Sequence, residues 1–142
     1  MKRKTEKYSV VYSFNGRWEK SLVRKKVKVF FRKRRPVLPP DRVFFYVGVP
    51  VKKIIGFSDL NFIEKVGLDE AIKCKDEGCI TEAELERYIG PDGYVFAIHL
   101  KEAIIFENPM DLESLRNEFS FNPPQSFSNL SANFERRLVE NR

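Results

Sequence analysis

The spacing of apolar and polar side chains predicts strands in the first half of the chain. Four segments are rich in β-branched or aromatic residues, and we predict them as strands: Tyr8–Phe14, Lys26–Arg32, Arg42–Val47 and Lys53–Ile63. A short helix is predicted after Asn15, a residue type that often caps helices. Gly56 interrupts the fourth segment, and a glycine inside a strand indicates a bulge or a close backbone approach.

The second half of the chain is predominantly helical, with one long extended segment. We predict helices at Leu68–Glu77, at Thr81–Ile89, from Asp111 to about Glu118, and at Ser131–Glu140. Tyr94–Glu107 is predicted as one long bent strand or two strands, and the proline-rich segments Lys33–Pro40 and Asn122–Pro124 as rigid loops. This order predicts an α+β fold, a small mixed β-barrel of about five or six strands with short helices covering it.

The composition is that of one globular domain. The chain has 142 residues, of which 42% are hydrophobic and 32% charged. We expect a basic N-terminal tail at residues 1–7 and one domain at residues 8–142, ending in a helix at about 131–140. The sequence has neither an apolar membrane span nor a signal peptide, so we expect a cytoplasmic protein with free thiols at Cys74 and Cys79. Two cysteines and one histidine do not supply a zinc site, and we expect no metal and no cofactor.

The charge is concentrated at one end of the chain. Residues 1–42 contain fifteen lysines and arginines against three acidic residues, a net charge of +12. The remaining hundred residues have a net charge of −6. A basic region of this kind suits a polyanion, and nucleic acid is the commonest one. The alternative is a solvated basic surface without a specific partner.

The second predicted strand combines cations with an aromatic ring. Because side chains alternate across a strand, one face has Val27, Val29 and Phe31, and the other has Lys26, Lys28, Phe30 and Arg32. Cations that meet phosphates and a ring that stacks on a base are the parts of a single-strand binding site. In the alternative, Phe30 packs under a helix. One ring of the Phe44–Phe45 pair must likewise point away from the barrel interior.

Further polar residues extend this candidate site. We predict that nine residues bind nucleic acid: Arg17, Lys20, Lys26, Lys28, Phe30, Arg32, Lys33, Arg34 and Arg35. Five more are predicted to line the cleft: Ser13, Asn15, Trp18, Gln125 and Ser126. The proline-stiffened loop after Arg35 would lower the entropy cost of ordering a bound segment. Trp18 has core packing as its alternative role, and Gln125 and Ser126 have backbone capping as theirs.

Four segments in order resemble the ASCH family of the PUA-like superfamily, between about Tyr8 and Leu130. A strand, a helix and a basic strand match the region of the family's G-x-K-x-x-E-x-R motif. The second segment comprises Asp41-Arg42-Val43, Pro50-Val51 and Ile54-Ile55-Gly56, and the third comprises Tyr88, Tyr94, Ala97 and Ile98. The fourth, Pro123 to Phe127, is similar to the closing segment of archaeal-type, stand-alone members. The resemblance implies a pseudo-barrel with a cleft beside the first helix, and an association with RNA or modified nucleotides.

The resemblance also implies an enzymatic alternative, which the residues weaken. Some small members of the family are amidohydrolases that act on acylated cytidine with a Lys, a Thr and a Glu. With Arg32 on the last motif position, Phe30 replaces the Glu and Val27 replaces the Lys, and no threonine lies between Glu6 and Thr81. A phenylalanine cannot act as a general base, so we assign no catalytic residue.

Three functions therefore remain at this point. The first is a nucleic-acid-binding module for RNA or single strands, because no recognition helix for duplex DNA is evident. The second is a nucleoside amidohydrolase with Lys26 or Lys28 as base. The third is a transcription-related adaptor that binds an acidic protein through the same basic face. The oligomeric state stays unassigned, and a modified nucleoside is an alternative ligand.

Overall fold

The computed structural model describes residues 7–140, and within them six strands form one mixed sheet. The strands are β1 Ser9–Phe14, β2 Val29–Arg32, β3 Arg42–Val47, β4 Lys53–Gly67, β5 Tyr94–Asp111 and β6 Phe127–Leu130. Their order in the sheet is β2-β5-β4-β3-β1-β6. β1 and β3 are parallel, and the other neighbouring strands of the described sheet are antiparallel. The predicted basic tail falls almost wholly on residues 1–6, outside the described residues.

Short helices join the strands, and polar side chains cap most of them. A 3-10 turn at Gly16–Trp18 precedes α1 Glu19–Val23, and the later helices are α2 Leu68–Lys73, α3 Glu82–Ile89, α4 Leu112–Phe119 and α5 Ala132–Val139. The residues before the turn and before α3, α4 and α5 each accept a hydrogen bond from a backbone N–H of the first turn: Asn15, Thr81, Asp111 and Ser131. Such bonds satisfy donors that have no partner within the helix. Among the helices of residues 7–140, none has the length and apolar character needed to span a bilayer.

The sheet curls around one apolar cluster and is covered on its outer face by two others. The interior cluster takes side chains from β1 to β5, including Tyr12, Phe14, Phe30, Phe45 and Ile98. A second cluster lies beneath α4 and α5, and a third lies beneath α2 and α3. Phe45 belongs to the interior cluster and Phe44 to the second, so the two rings point to opposite faces of β3, as the alternation predicts.

The sheet does not close into a complete barrel. β2 and β6 are its two edges, and no described strand pairing joins them. Side chains bridge the gap instead: the Tyr12 and Phe30 rings meet edge to face, with their centroids 5.1 Å apart, and the Arg32 Nη2 donates to the Ser13 carbonyl at 2.8 Å. We call this gap, between β2 and the β1–β6 pair, the open seam. The α+β class, the six strands and the short covering helices confirm the predicted fold.

Candidate functional site

A cleft of about 700 Å³ lies at the open seam. Its lining residues come from three parts of the chain: Arg34, Arg35, Phe96, Gln125, Ser126 and Phe127. The two arginines follow β2, and Phe96 lies on β5 opposite Arg32 of β2. Gln125 and Ser126 precede β6, and Phe127 is its first residue. The missing strand pairing therefore leaves space for a ligand between two cations and two rings.

Hydrogen bonds to β1 fix both walls of the cleft. The Tyr12 hydroxyl donates to the Arg34 carbonyl at 3.1 Å, which anchors the basic loop. The Ser13 Oγ donates to the Pro124 carbonyl at 2.6 Å, and the Ser13 backbone N–H donates to the Ser126 carbonyl at 3.1 Å. Ser13, predicted as a cleft-lining residue, is thus the support of the wall formed by residues 124–126. Burial raises the pKa of the Tyr12 hydroxyl, so this group stays protonated as a donor.

Arg32 is a half-buried cation beside the cleft. Its guanidinium lies over the Phe14 and Phe30 rings, at 4.6 and 5.2 Å from their centroids, and burial lowers its pKa. An arginine nevertheless keeps its charge at any physiological pH. Among the described residues, no carboxylate lies within ion-pair distance of Arg32, and no fully buried side-chain nitrogen lacks a hydrogen-bond partner. Each of its guanidinium nitrogens therefore either has a hydrogen-bond partner or keeps some contact with solvent.

Aromatic rings border the cleft, and cations lie over them. The Arg35 guanidinium lies 5.3 Å from the centroid of Phe96, and the Lys33 Nζ lies 5.1 Å from the centroid of Tyr88. Sequence reasoning missed the part that Tyr88, Phe96 and Phe127 play here. The alternation along β5 was visible in the sequence, but nothing local indicates which of its faces adjoins the seam.

The structure corrects the predicted role of Phe30. This side chain is only 2% exposed, and its ring packs edge to face against Tyr12 and Phe14. The prediction of a ring exposed for base stacking is therefore wrong. Both faces of β2 are buried, because Val29 and Phe31 pack beneath α2 and α3 while Phe30 enters the interior cluster. The alternation is as predicted, but the face assigned to solvent points into the barrel.

The other predicted residues fall into two groups. The structure brings Arg34, Arg35, Gln125 and Ser126 together in the cleft, with Lys33 and Arg32 beside it. Six others do not line it, and they lie at the first turn, on α1 or before β2: Asn15, Arg17, Trp18, Lys20, Lys26 and Lys28.

Three of these six residues have contacts that account for their positions. Arg17 forms an ion pair with Glu84 at 2.6 Å and lies over the Trp18 ring at 4.1 Å. Trp18 packs against Phe14, which matches its alternative role in the core. Asn15 accepts a hydrogen bond from the Arg17 N–H as a cap. The cation of Arg17 is thus already neutralised by a carboxylate.

The arrangement offers little for acid–base chemistry at the cleft. Lys26 and Lys28, the candidate bases of an amidohydrolase, are exposed and lie outside the cleft lining. His99 bonds to Glu64 at 2.7 Å on the outer part of β4 and β5, away from the lining residues. Within residues 7–140, no group of three or more His, Cys, Asp and Glu side chains is arranged to hold a metal ion. The six residues that line the cleft instead provide two cations, two aromatic rings and two polar side chains.

Comparisons with known proteins agree with the resemblance seen in the sequence. No family model matches the chain, and no curated protein matches it significantly. The crystal structure of ASCH from Zymomonas mobilis is similar over 93% of this chain and 94% of that one, with 27% identity and a TM-score of 0.84. A serine-to-alanine mutant of that protein gives 26% identity and a TM-score of 0.82 over the same shares.

A more distant likeness concerns the fold alone. The N-terminal domain of Staphylothermus marinus McrB covers 94% of each chain at 14% identity, with a TM-score of 0.57. The two Zymomonas mobilis structures match almost the whole of this chain. Together with the six-stranded mixed sheet and the four ordered sequence segments, they support placing the chain with the ASCH domain proteins.

Proposed function

We propose that the chain binds single-stranded nucleic acid, and RNA in particular, in the cleft at the open seam. One observation supports this most strongly. Two exposed arginines, two aromatic rings and a polar pair line the same cleft, beside a half-buried Arg32 that has no described carboxylate partner. Residues far apart in the chain meet there, so the combination is a property of the fold and not of one basic segment.

Each group has a defined part in this proposal. Arg34, Arg35 and Arg32 bind phosphates, and the release of counterions from the strand favours the complex. Phe96 and Phe127 stack on bases, which every base allows because each has a flat face. The Gln125 amide donates to or accepts from a base edge. Stacking inside a cleft needs unstacked bases, which favours single strands over a duplex.

The two alternatives have less support. An amidohydrolase would need a base and a nucleophile in the cleft, and the six lining residues contribute neither a carboxylate nor a lysine. An adaptor for an acidic protein would use the arginines but would have no use for two rings in the cleft. The association of ASCH and PUA-like domains with RNA or modified nucleotides also supports the first function.

Fluorescence anisotropy across a salt series tests the proposal. The ligands are single-stranded RNA, single-stranded DNA and duplex DNA. The variant Arg34→Ala with Arg35→Ala removes two positive charges from the cleft. Its control, Lys73→Ala with Arg136→Ala, removes two exposed charges from α2 and α5, outside the cleft lining.

The proposal predicts different salt dependence for the two variants. Losing two phosphate contacts lowers the slope of log K against log salt by about 1.4 for a single strand. The cleft variant should show this change and weaker binding to all sequences, whereas the control keeps the slope of the unaltered protein. Equal effects of the two variants would mean that only net charge matters, and no binding near physiological salt would refute the function. If an acidic peptide displaces RNA completely and the rings contribute nothing to RNA binding, the result would favour the adaptor instead.

A further inference from the structure

A row of cations and rings continues from the cleft along β5. Phe96 lines the cleft, and Tyr94 contacts it edge to face from two positions earlier on the same strand, with ring centroids 5.9 Å apart. Lys65, on the neighbouring strand β4, has its Nζ 3.9 Å from the centroid of the Tyr94 ring. Arg35 lies over Phe96, so the row consists, in order, of Arg35, Phe96, Tyr94 and Lys65. The end of the row at Arg35 and Phe96 is part of the cleft.

Tyr94 has surface left for a ligand. Its side chain is 52% exposed, although Lys65 lies over the ring. The residue after it, Val95, is fully buried beneath α2 and α3, so Tyr94 points away from that cluster. A single exposed ring is common on protein surfaces. Here, however, the ring has a cation beside it and is continuous with a cleft of the same composition, which is the combination found in single-strand sites.

The spacing of the Phe96 and Tyr94 rings favours an extended nucleic-acid strand as the ligand. The centroids of the Tyr94 and Phe96 rings are 5.9 Å apart, and the two ring planes are inclined by 82°. Successive bases of a duplex advance by only about 3.4 Å per strand. A nucleic-acid strand whose bases are stacked on each other therefore cannot place neighbouring bases on both Phe96 and Tyr94, whereas a nucleic-acid strand with unstacked bases can.

We propose that a single strand bound in the cleft continues outward along β5, with one base stacked on Tyr94 and an adjoining phosphate bound by Lys65. This inference rests on the proposed function and adds an outer subsite to it. Because stacking tolerates any base, the subsite raises affinity with strand length and adds little sequence preference. A short oligonucleotide fills the cleft alone, and a longer one reaches both sites.

Oligonucleotides of two lengths test the outer subsite. A labelled octauridylate is titrated directly, and a diuridylate is measured as its competitor. The variants are Tyr94→Ala and Lys65→Ala, and Tyr94→Phe keeps the ring. Phe62→Ala is the matched control, because Phe62 is a similarly exposed ring on β4 that stacks on His99 and does not border the cleft. Thermal unfolding confirms that each variant is folded.

The subsite predicts a loss that depends on length. Tyr94→Ala should weaken octauridylate binding about 5- to 150-fold, the equivalent of one lost stacking contact. Tyr94→Phe and Phe62→Ala should bind like the unaltered protein, and diuridylate affinity should stay the same in all variants. Lys65→Ala should weaken the octauridylate and lower its salt slope by about 0.7.

Two results would overturn the inference, and they are distinguishable from a failure of the function. Unchanged octauridylate binding by Tyr94→Ala would remove the subsite, and so would an equal loss for both lengths, which indicates a structural role for the ring. In either case the effect of Arg34→Ala with Arg35→Ala would still stand. If the unaltered protein binds neither oligonucleotide, the proposed function fails and the subsite fails with it.

Discussion

Replacing Arg32 by methionine should separate folding from binding. Methionine keeps an unbranched side chain that packs on the Phe14 and Phe30 rings, but it removes the charge. The protein loses a charge-assisted hydrogen bond to Ser13, worth about 1.5–3 kcal/mol, and the attraction of the cation to the rings, worth about 0.5–2 kcal/mol. It gains relief from holding a half-buried cation without a carboxylate, a penalty of several kcal/mol per ion. We expect these effects to cancel, so that the free energy of unfolding changes by less than about 2 kcal/mol.

Binding should respond much more strongly than folding. A lost charge-assisted contact to phosphate corresponds to about 10- to 150-fold in affinity. Urea unfolding followed by the fluorescence of Trp18, the one tryptophan of the chain, gives the stability, and anisotropy with single-stranded RNA gives the affinity. Arg32→Lys is the companion variant, and we expect intermediate binding because lysine keeps the charge and loses the planar fork. A stability loss above about 3 kcal/mol with unchanged affinity would show that Arg32 serves the fold alone.

Two more predictions follow from burial and electrostatics. Phe30→Ala should lower the free energy of unfolding by about 3–5 kcal/mol, because it empties a fully packed site, and RNA affinity should be unchanged wherever the variant is folded; weaker binding at normal stability would return the ring to the ligand site. A backbone hydrogen bond from Thr81 is the main cause that lowers the pKa of Glu84 below its ordinary 4.5, with Arg17 adding to it. The stability from this ionised carboxylate is present above pH 4.5 and is lost as the pH falls through the lowered pKa. Glu84→Gln should therefore be less stable at neutral pH, by under about 1 kcal/mol, and the difference should vanish in acid; a difference independent of pH would contradict this assignment.

Local signals in the sequence predicted the local structure well. The cap at Asn15 is as predicted. Like the caps at Thr81, Asp111 and Ser131, it depends on a side chain and a backbone N–H within three residues, so the sequence contains the whole interaction. The bulge at Gly56 is similarly local: a Cβ there would lie 2.3 Å from the Ile104 carbonyl oxygen, and the register of β4 shifts beside it.

Structural features that depend on contacts between distant parts of the chain were harder to predict. β6 has four residues, of which only Leu130 is buried, and it is a strand because it pairs with β1 more than a hundred residues earlier. The prediction that the Phe30 ring is exposed was wrong for a related reason. Alternation shows that two faces differ, but it does not show which face meets solvent when a strand is buried on both sides.

The candidate site was predicted in part. The basic loop at Arg34 and Arg35 and the polar pair Gln125 and Ser126 were recognised separately, each next to prolines that stiffen the backbone. Their meeting in one cleft depends on the sheet curling until its edges approach, which no local pattern states. The same curl decides that Phe96 faces the cleft, so the rings of the site became visible only with the fold.

The central claim is that single-stranded RNA binds in the cleft at the open seam, and mapping where bound RNA contacts the protein tests it most directly. Single-stranded RNA is crosslinked to the protein by ultraviolet light without a linker, and the modified peptides are identified by mass spectrometry. The account predicts crosslinks at Phe96 and at residues 125–127, with loss of both sets in the variant Arg34→Ala with Arg35→Ala. Crosslinks confined to α4 and α5, on the outer face of the sheet, would show that the strand binds elsewhere and would contradict the assignment of the cleft.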